Sequence, residues 1–258
     1  MKTNSKLKLA INFVLLFVLL AVLSSCSDNP QEEEVNTQEI AEIVGATLAN
    51  ESQGMVAQME ASADATEQAD EGGQGARTEQ DDLCGQEFSK EFSVSSPENQ
   101  AVFYDYSIDY DYTFECNQFL VPTSMSFAVT QSGEVDAPRF ESDNSSSGDW
   151  MVSGLELSST EYSFDGNYDR DGDHASKVGE QNSYTFDLSV AFNGVKMNKG
   201  NYVISQGTGA FSISGLGTVG AQFSVNGTME FLGNQQVLVT VNEESYIVDV
   251  RTGDVTPV

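Results

Sequence analysis

Residues 102–117, VFYDYSIDYDYTFECN, place an apolar or aromatic side chain at every second position. Four tyrosines and Phe114 occupy even positions, whereas the odd positions carry mostly aspartate, serine and threonine. Successive side chains of a β-strand point to opposite faces, so this stretch predicts a long strand with one aromatic and one acidic face. We expect the rings to pack in a core, because an open aromatic stripe on a monomer is uncommon. A ledge that binds a ligand is the alternative.

The same two-residue period recurs from residue 84 to the end of the chain. It is clearest over 184–192 and 219–231, and no stretch of helical period lies between the alternating runs. Clusters of glycine, asparagine and serine, which favour turns, separate the runs. The pattern predicts an all-β fold, an antiparallel meander of about 8–11 strands. A sandwich, a half-open sheet and a barrel all satisfy it, and residues 84–258 are long enough for one such domain.

The segment before this domain has a different pattern. Over residues 38–59 apolar side chains recur three and four positions apart, which predicts one short amphipathic helix. Gly45 and Gly54 leave two shorter helices as an alternative. Residues 60–83, EASADATEQADEGGQGARTEQDDL, offer almost nothing to bury and predict a disordered linker. Residues 26–37 are polar and acidic, and we interpret them as a tether.

The beginning of the chain predicts export. Three lysines are followed by an apolar run over 9–23, which is shorter than the roughly 20 residues that a membrane-spanning helix needs. This pattern is typical of a signal peptide, here residues 1–25. Its end, Leu23-Ser24-Ser25-Cys26, resembles the lipobox of bacterial lipoproteins. The resemblance implies that Cys26 is acylated, becomes the first residue, and anchors the protein to a membrane through three acyl chains that include palmitate.

Two further resemblances concern location. Ser27, rather than an aspartate that would favour inner-membrane retention in such lipoproteins, follows Cys26, and the segment CSDNPQEEE is similar to the tether of surface-exported Bacteroidota lipoproteins. Within 160–255, the patterns YSFDGNYDRDGDH, GTGAFSISG and FSVNGTMEFLGNQQVLVTV resemble the C-terminal β-meander of uncharacterised Bacteroidota outer-membrane lipoproteins. Together they imply a lipid-anchored protein of the outer membrane, at the cell surface rather than the periplasmic face. They imply no activity.

The charge of the exported chain excludes one class of partner. All 40 acidic residues follow Cys26 and three of the 11 basic residues precede it, which leaves eight basic and 40 acidic residues and a formal charge of −32. Such a surface repels nucleic acid phosphates, so we expect no nucleic acid partner. Cations, basic proteins and neutral glycans remain as ligands. The simpler interpretation is that acidity keeps an exposed protein soluble.

Two cysteines remain once Cys26 is assigned to the anchor. Cys84 and Cys116 in an exported chain predict one structural disulfide. Zinc is a weaker interpretation, because the two sulfurs and His174, the single histidine, show no local ligand spacing.

One acidic segment resembles a calcium site. Oxygen-bearing side chains at alternate positions form the string N-x-D-x-D-G-D, which is similar to the first half of an EF-hand or thrombospondin type 3 loop and would place the ion on Asn167, Asp169, Asp171 and Asp173. The bidentate glutamate expected at the twelfth position is replaced by Val178. We therefore favour a solvated hairpin loop, with calcium as the alternative and no other cofactor.

Catalytic motifs are sparse. The sequence contains no Gly-x-Ser-x-Gly motif that would supply a nucleophilic serine for His174 to activate. We predict a noncatalytic role in binding or envelope structure, with a glycan or a surface protein as the partner and the ligand on a sheet face or on loops at 131–149 and 165–182. The alternatives are a glycan-acting enzyme that uses two carboxylates, and a carrier of a hydrophobic ligand in which the helix at 38–59 lies over an open, tyrosine-lined sheet.

Overall fold

The structure, a computed structural model, describes residues 36–73, 83–218 and 220–258, with the backbone alone for 68–73. These residues belong to one compact unit, Glu32–Val258. The predicted signal peptide at 1–25, the predicted acylation site Cys26 and nearly all of the predicted tether at 26–37 lie outside the described residues, as does 74–82 of the predicted linker.

Within the described residues, two helices precede eleven strands. The helices are α1, Thr37–Leu48, and α2, Met55–Gly73. The strands are β1 (Glu87–Ser95), β2 (Phe103–Cys116), β3 (Pro122–Asp136), β4 (Phe140–Ser153), β5 (Glu161–Ser176), β6 (Ser183–Asn198), β7 (Ile204–Leu216), β8 (Gln222–Gly233), β9 (Gln236–Val241), β10 (Glu244–Asp249) and β11 (Val255–Pro257).

Every strand pairs antiparallel with the strand that follows it, so the order across the sheet is the order in the chain. The prediction of an all-β antiparallel meander is confirmed. Of the three forms that the pattern allowed, the structure adopts a single open sheet, in which, among the described strands, β1 pairs only with β2 and β11 only with β10.

The two faces of the sheet follow the alternation in the sequence. On β2 the even positions point inward, with Tyr106 1% and Tyr110 7% exposed, and Tyr112 is half-buried near the edge. The odd positions of β2 that carry aspartate, Asp105, Asp109 and Asp111, are exposed. The tyrosines therefore pack in the core, as predicted, and we call their side the inner face and the other side the outer face.

Both helices lie on the inner face. Helix α1 packs on β9, β10, β11 and β5, and α2 packs on β3 and β5. The apolar side chains of α1, such as Ile40 and Ile43, are fully buried in one continuous core with the sheet. Asn36 caps α1, where its side-chain oxygen accepts a hydrogen bond of 3.0 Å from the amide of Gln38.

The helical segment differs from the prediction in two ways. The single helix expected over 38–59 is divided at 49–54, where Gln53 has a positive φ of 55°. The linker predicted over 60–83 is wrong for 60–73, because α2 continues to Gly73. Its buried positions include Ser62 and Thr66 as well as Ala63, and small polar residues give no apolar period to detect. Among the described residues, no helix has the length and apolar character needed to cross a bilayer.

The predicted disulfide is confirmed, since Cys84 and Cys116 are bonded to each other. The bond ties the segment before β1 to the end of β2, where Cys84 also forms an isolated bridge with Phe114. The predicted start of the β-domain at residue 84 thus lies three residues before its first strand.

Candidate functional site

The two segments predicted as ligand-binding loops are mostly strands. Residues 131–149 form the end of β3 and most of β4, and residues 165–176 belong to β5, so the prediction of loops is wrong there. The glycines that suggested turns instead allow close packing within the sheet. A Cβ atom on Gly133 would lie 2.0 Å from the carbonyl oxygen of Asp105, and one on Gly148 would lie 2.5 Å from the Trp150 ring.

These strands nevertheless form the most distinctive surface of the described residues. On the outer face, four carboxylates stand directly opposite one another on neighbouring strands: Asp105 of β2 pairs with Glu134 of β3, Glu134 with Asp143 of β4, and Asp143 with Asp173 of β5. All four are exposed. Like charges in such cross-strand pairs repel each other and are destabilising, so this acidic row weakens the sheet that carries it.

Three residues of the acidic row, Glu134, Asp143 and Asp173, line a long depression, which we call the outer groove. Three hollows of about 780, 350 and 690 Å³ follow one another down the outer face of β2–β6, with Phe103, Asp109 and Asp111 of β2 in the successive hollows. The largest hollow extends to Leu216 of β7. The carboxylates that line the groove are Glu87, Asp109, Asp111, Glu134, Asp136, Glu141, Asp143, Asp149, Asp165, Asp171 and Asp173.

Positive charge is scarce along the groove. No lysine or arginine is among the described residues that line the three hollows. Lys177, at one end, forms a salt bridge with Asp136 and lies 3.5 Å from the Glu141 carboxylate. Its hydrogen bond with Asp136 raises the pKa of Lys177, so the ammonium group stays charged and neutralises only this end of the groove.

The four residues predicted as calcium ligands lie in this surface but do not surround one point. Asn167, Asp169, Asp171 and Asp173 are exposed on the outer face of β5, and neither a calcium loop nor a hairpin loop exists at these positions. Same-face residues of a strand are about 6–7 Å apart, so the oxygens spread along the strand. Ser145 donates to the Asp171 carboxylate at 3.0 Å and Thr185 to that of Asp173 at 2.8 Å. No cluster of three metal-ligating acidic, His or Cys side chains occurs within the described part.

The single histidine lies on the opposite face. His174 is 2% exposed, and its ring stacks on Phe140 with the ring centroids 5.1 Å apart. Burial, and then the nearby positive charge of Arg170, lower its pKa to about 3. The imidazole is therefore neutral near pH 7; the His174 ring is buried on the inner face, although the residue also borders the largest hollow of the outer groove.

Sequence analysis missed a polar cluster on the inner face. Arg170 is 2% exposed, and its guanidinium donates to the Ala46 carbonyl of α1 at 3.1 Å and to the Tyr106 hydroxyl at 3.2 Å. Gln131, also buried, donates to the Tyr168 hydroxyl at 3.1 Å. Burial raises the pKa of Tyr168, so that hydroxyl stays protonated. The sequence did indicate that Arg170 points inward, because it occupies an even-numbered position of β5, like the buried Phe164 and Tyr168.

Comparison with known proteins finds nothing similar, whether family models, curated sequences or solved structures. The outer groove and the inner polar cluster are therefore the features from which a function has to be inferred.

Proposed function

We propose that this protein is a lipid-anchored outer-membrane lipoprotein of the cell surface whose noncatalytic role is to bind a cationic ligand, such as a basic segment of another surface protein, along the outer groove. The observation that carries the proposal is a groove lined by carboxylates without a lysine or arginine among its described lining residues.

The electrostatics of the groove favour a cation. A cleft lined by charges of one sign concentrates their field and raises the local concentration of the opposite charge. The acidic row places like charges in register, and a bound cation relieves that repulsion. Hydroxyl groups between the carboxylates, such as those of Ser107, Thr130 and Ser147, add hydrogen-bond partners along the floor.

The shape of the groove favours an extended ligand. The three hollows follow the strands rather than closing around one point, which suits a chain laid along the sheet better than a compact molecule. Phe103 and Leu216, 46% and 44% exposed, stand at the two sides of the largest hollow. They can contact the aliphatic stems of lysine or arginine side chains, which are apolar up to their charged ends.

A noncatalytic role is favoured over the glycan-acting enzyme. A general acid on a carboxylate needs a raised pKa at the place where the substrate lies. Burial raises the pKa of Glu60, but this residue lies on α2, where its carboxylate accepts a hydrogen bond from Asn50 at 2.6 Å. Glu60 does not line the outer groove.

The anchor part of the proposal rests on the lipobox and has its own test. Cells that express the wild-type chain in the presence of labelled palmitate should incorporate label into the protein, and Cys26→Ala should abolish it, because the acylated thiol is removed. Cys84→Ala is the matched control and should remain labelled. Equal labelling of the wild type and Cys26→Ala contradicts the anchor.

The binding part can be tested with a basic peptide. We expect fluorescent decalysine to bind the full chain carrying Cys26→Ala in low salt, and its affinity to fall steeply as salt rises, since screening weakens exposed charges. Glu134→Gln, Asp143→Asn and Asp173→Asn together should weaken binding at least tenfold, as measured by fluorescence anisotropy.

The control variant removes the same number of negative charges, three, at positions outside the groove. Glu156→Gln, Glu230→Gln and Glu243→Gln alter three exposed residues that do not line it, and should leave the affinity within about twofold. If both triple variants lose affinity equally, the peptide senses only net charge and the groove is not the site.

A further inference from the structure

Arg170 is a buried positive charge without a negative partner in the described part of the chain. Its two hydrogen-bond acceptors are a peptide carbonyl and a tyrosine hydroxyl, and its Nε has no acceptor. The salt bridges within the described residues involve other basic side chains. Burying a cation without a counter-charge is destabilising, so the apolar interior holds this guanidinium at a cost to stability.

The helix that covers the neighbouring inner face is attached partly through polar contacts. Three residues of α2 at four-residue spacing, Gln58, Ser62 and Thr66, are at most 7% exposed and face the sheet. Gln58 accepts a hydrogen bond from Tyr110 at 2.7 Å, Ser62 accepts one from Trp150 at 3.2 Å, and Thr66 donates to Tyr162 at 2.9 Å. Water can replace each of these bonds when the helix lifts away, which lowers the net cost of separating them.

Beneath α2 the sheet presents a row of rings. Tyr110, Phe127 and Trp150 are linked by centroid distances of 5.0 and 5.2 Å, and Phe192 meets Trp150 at 6.1 Å. These residues come from β2, β3, β4 and β6, so the row crosses much of the sheet. We call it the aromatic row. Arg170 lies on the same inner face, four residues along β5 from the position that pairs with Trp150.

We propose that this inner face is a second, occluded binding site for an amphipathic anion of the fatty-acid class, with its carboxylate paired to Arg170, its acyl chain on the aromatic row, and α2 as the displaceable cover. The site lies on the inner face and the outer groove on the other face of the same sheet, and Phe127 and Trp150 border both.

The lengths and charges match this class of ligand. The stretch of α2 from Met55 to Glu67 is about 20 Å long at 1.5 Å per residue, which is comparable to a long extended acyl chain. The Ala46 carbonyl, in the last turn of α1 where the helix dipole is negative, now occupies the position of an acceptor for Arg170. The Nε of Arg170 has no acceptor, so a carboxylate can pair with it and supply a full negative charge while the Ala46 carbonyl of α1 stays in place.

Trp150 is the single tryptophan of the chain and reports directly on this surface. The full chain carrying Cys26→Ala is used, because its own acyl chains would otherwise compete. We expect oleate, below its aggregation concentration, to change Trp150 fluorescence saturably, and a dibrominated stearate to quench it by contact. Oleyl alcohol, which lacks the charge, should bind at least tenfold more weakly, and acetate, which lacks the chain, should not bind.

Variants of Arg170 separate a binding role from a structural one. Arg170→Met should weaken oleate binding at least tenfold and leave the melting temperature unchanged or higher, because it removes an uncompensated charge. The control Arg251→Met, at an exposed arginine, should bind oleate as the parent does. Should Arg170→Met fail to fold, Arg170→Lys keeps the charge, and it should remain folded and bind oleate in preference to oleyl alcohol.

Three results overturn the proposal. Absence of saturable quenching by the brominated acid means that no acyl chain reaches the aromatic row. Equal affinity for oleate and oleyl alcohol means that Arg170 is not the counter-ion. A large fall in melting temperature for both Arg170→Met and Arg170→Lys, with oleate binding lost in neither, means that Arg170 only holds α1 in place. None of these results bears on decalysine binding in the outer groove.

Discussion

Cys84→Ser combined with Cys116→Ser should lower the free energy of unfolding by about 3–4 kcal/mol, because the disulfide closes a loop whose ends are 32 residues apart. The bond restricts the unfolded chain, and it also joins the segment before β1 to the end of β2, at an edge of the sheet with no further strand among the described residues. Urea unfolding, with the stability taken from the midpoint and the slope, measures the loss.

The control for this prediction is Cys26→Ser, which removes a thiol but no cross-link. It should unfold at the same urea concentration as the parent chain. A double variant of Cys84 and Cys116 as stable as the parent would show that the bond contributes no net stability, and that the contacts of Phe88 with Tyr112 and Phe114 suffice to hold the edge.

Gly45→Ala should destabilise the protein by about 1–3 kcal/mol, the usual cost of overpacking a core. In a helix interior this change normally gains up to about 1 kcal/mol, so the sign is reversed here. A Cβ on Gly45 would lie 2.7 Å from the carbonyl oxygen of Gly253 and 3.3 Å from methyl groups of Val248 and Val255. Helix α1 must therefore move away from β10 and β11, and thermal unfolding should register a lower midpoint.

Gly45→Leu should have a larger effect than Gly45→Ala, because the longer side chain has to enter the same contact. Gly200→Ala is a suitable control, since its Cβ would meet only the Asn198 side chain, at 3.3 Å, and a change within about 0.5 kcal/mol is expected. If Gly45→Ala stabilises the protein as it would stabilise an isolated helix, α1 is not held against the sheet as closely as the structure indicates.

The sheet could be predicted from sequence because its two faces differ chemically along most of its length. Strands such as β2 and β6 alternate between ring-bearing or aliphatic and polar residues, and a sustained two-residue period is typical of a strand with one buried face. The open form could not be predicted, since a strand's own residues say which face is buried but not whether the first and last strands meet.

The errors fall where small polar residues occupy regular structure. In β4 the run Ser145-Ser146-Ser147-Gly148 has the composition of a turn, yet Ser146 points inward and accepts a hydrogen bond from Tyr168 at 2.9 Å. In α2, Ser62 and Thr66 are buried through hydrogen bonds to aromatic partners. Composition treats such residues as solvated, and only the partner across the interface, supplied by the tertiary fold, shows otherwise.

The same limit applies to the candidate sites. The acidic residues of β2–β5 were visible in the sequence, but their register across four strands depends on the pairing of the hairpins. The alternate spacing of the predicted calcium ligands fits both a cation-binding loop and a strand; these ligands are Asn167, Asp169, Asp171 and Asp173. The segment is a strand because it pairs with β4 on one side and β6 on the other.

Helix α1, the first helix of the described residues, packs against the last three described strands, and this arrangement implies an order of assembly. Neighbouring strands can pair early in folding, because the loop-closure entropy of each hairpin is small. Helix α1 cannot pack before β9, β10 and β11 have formed. Ile40 and Ile43 therefore remain exposed to water until then. Until then the inner face of the sheet lacks part of its cover, and the packing of α1 on β9, β10 and β11 is the step that completes the core.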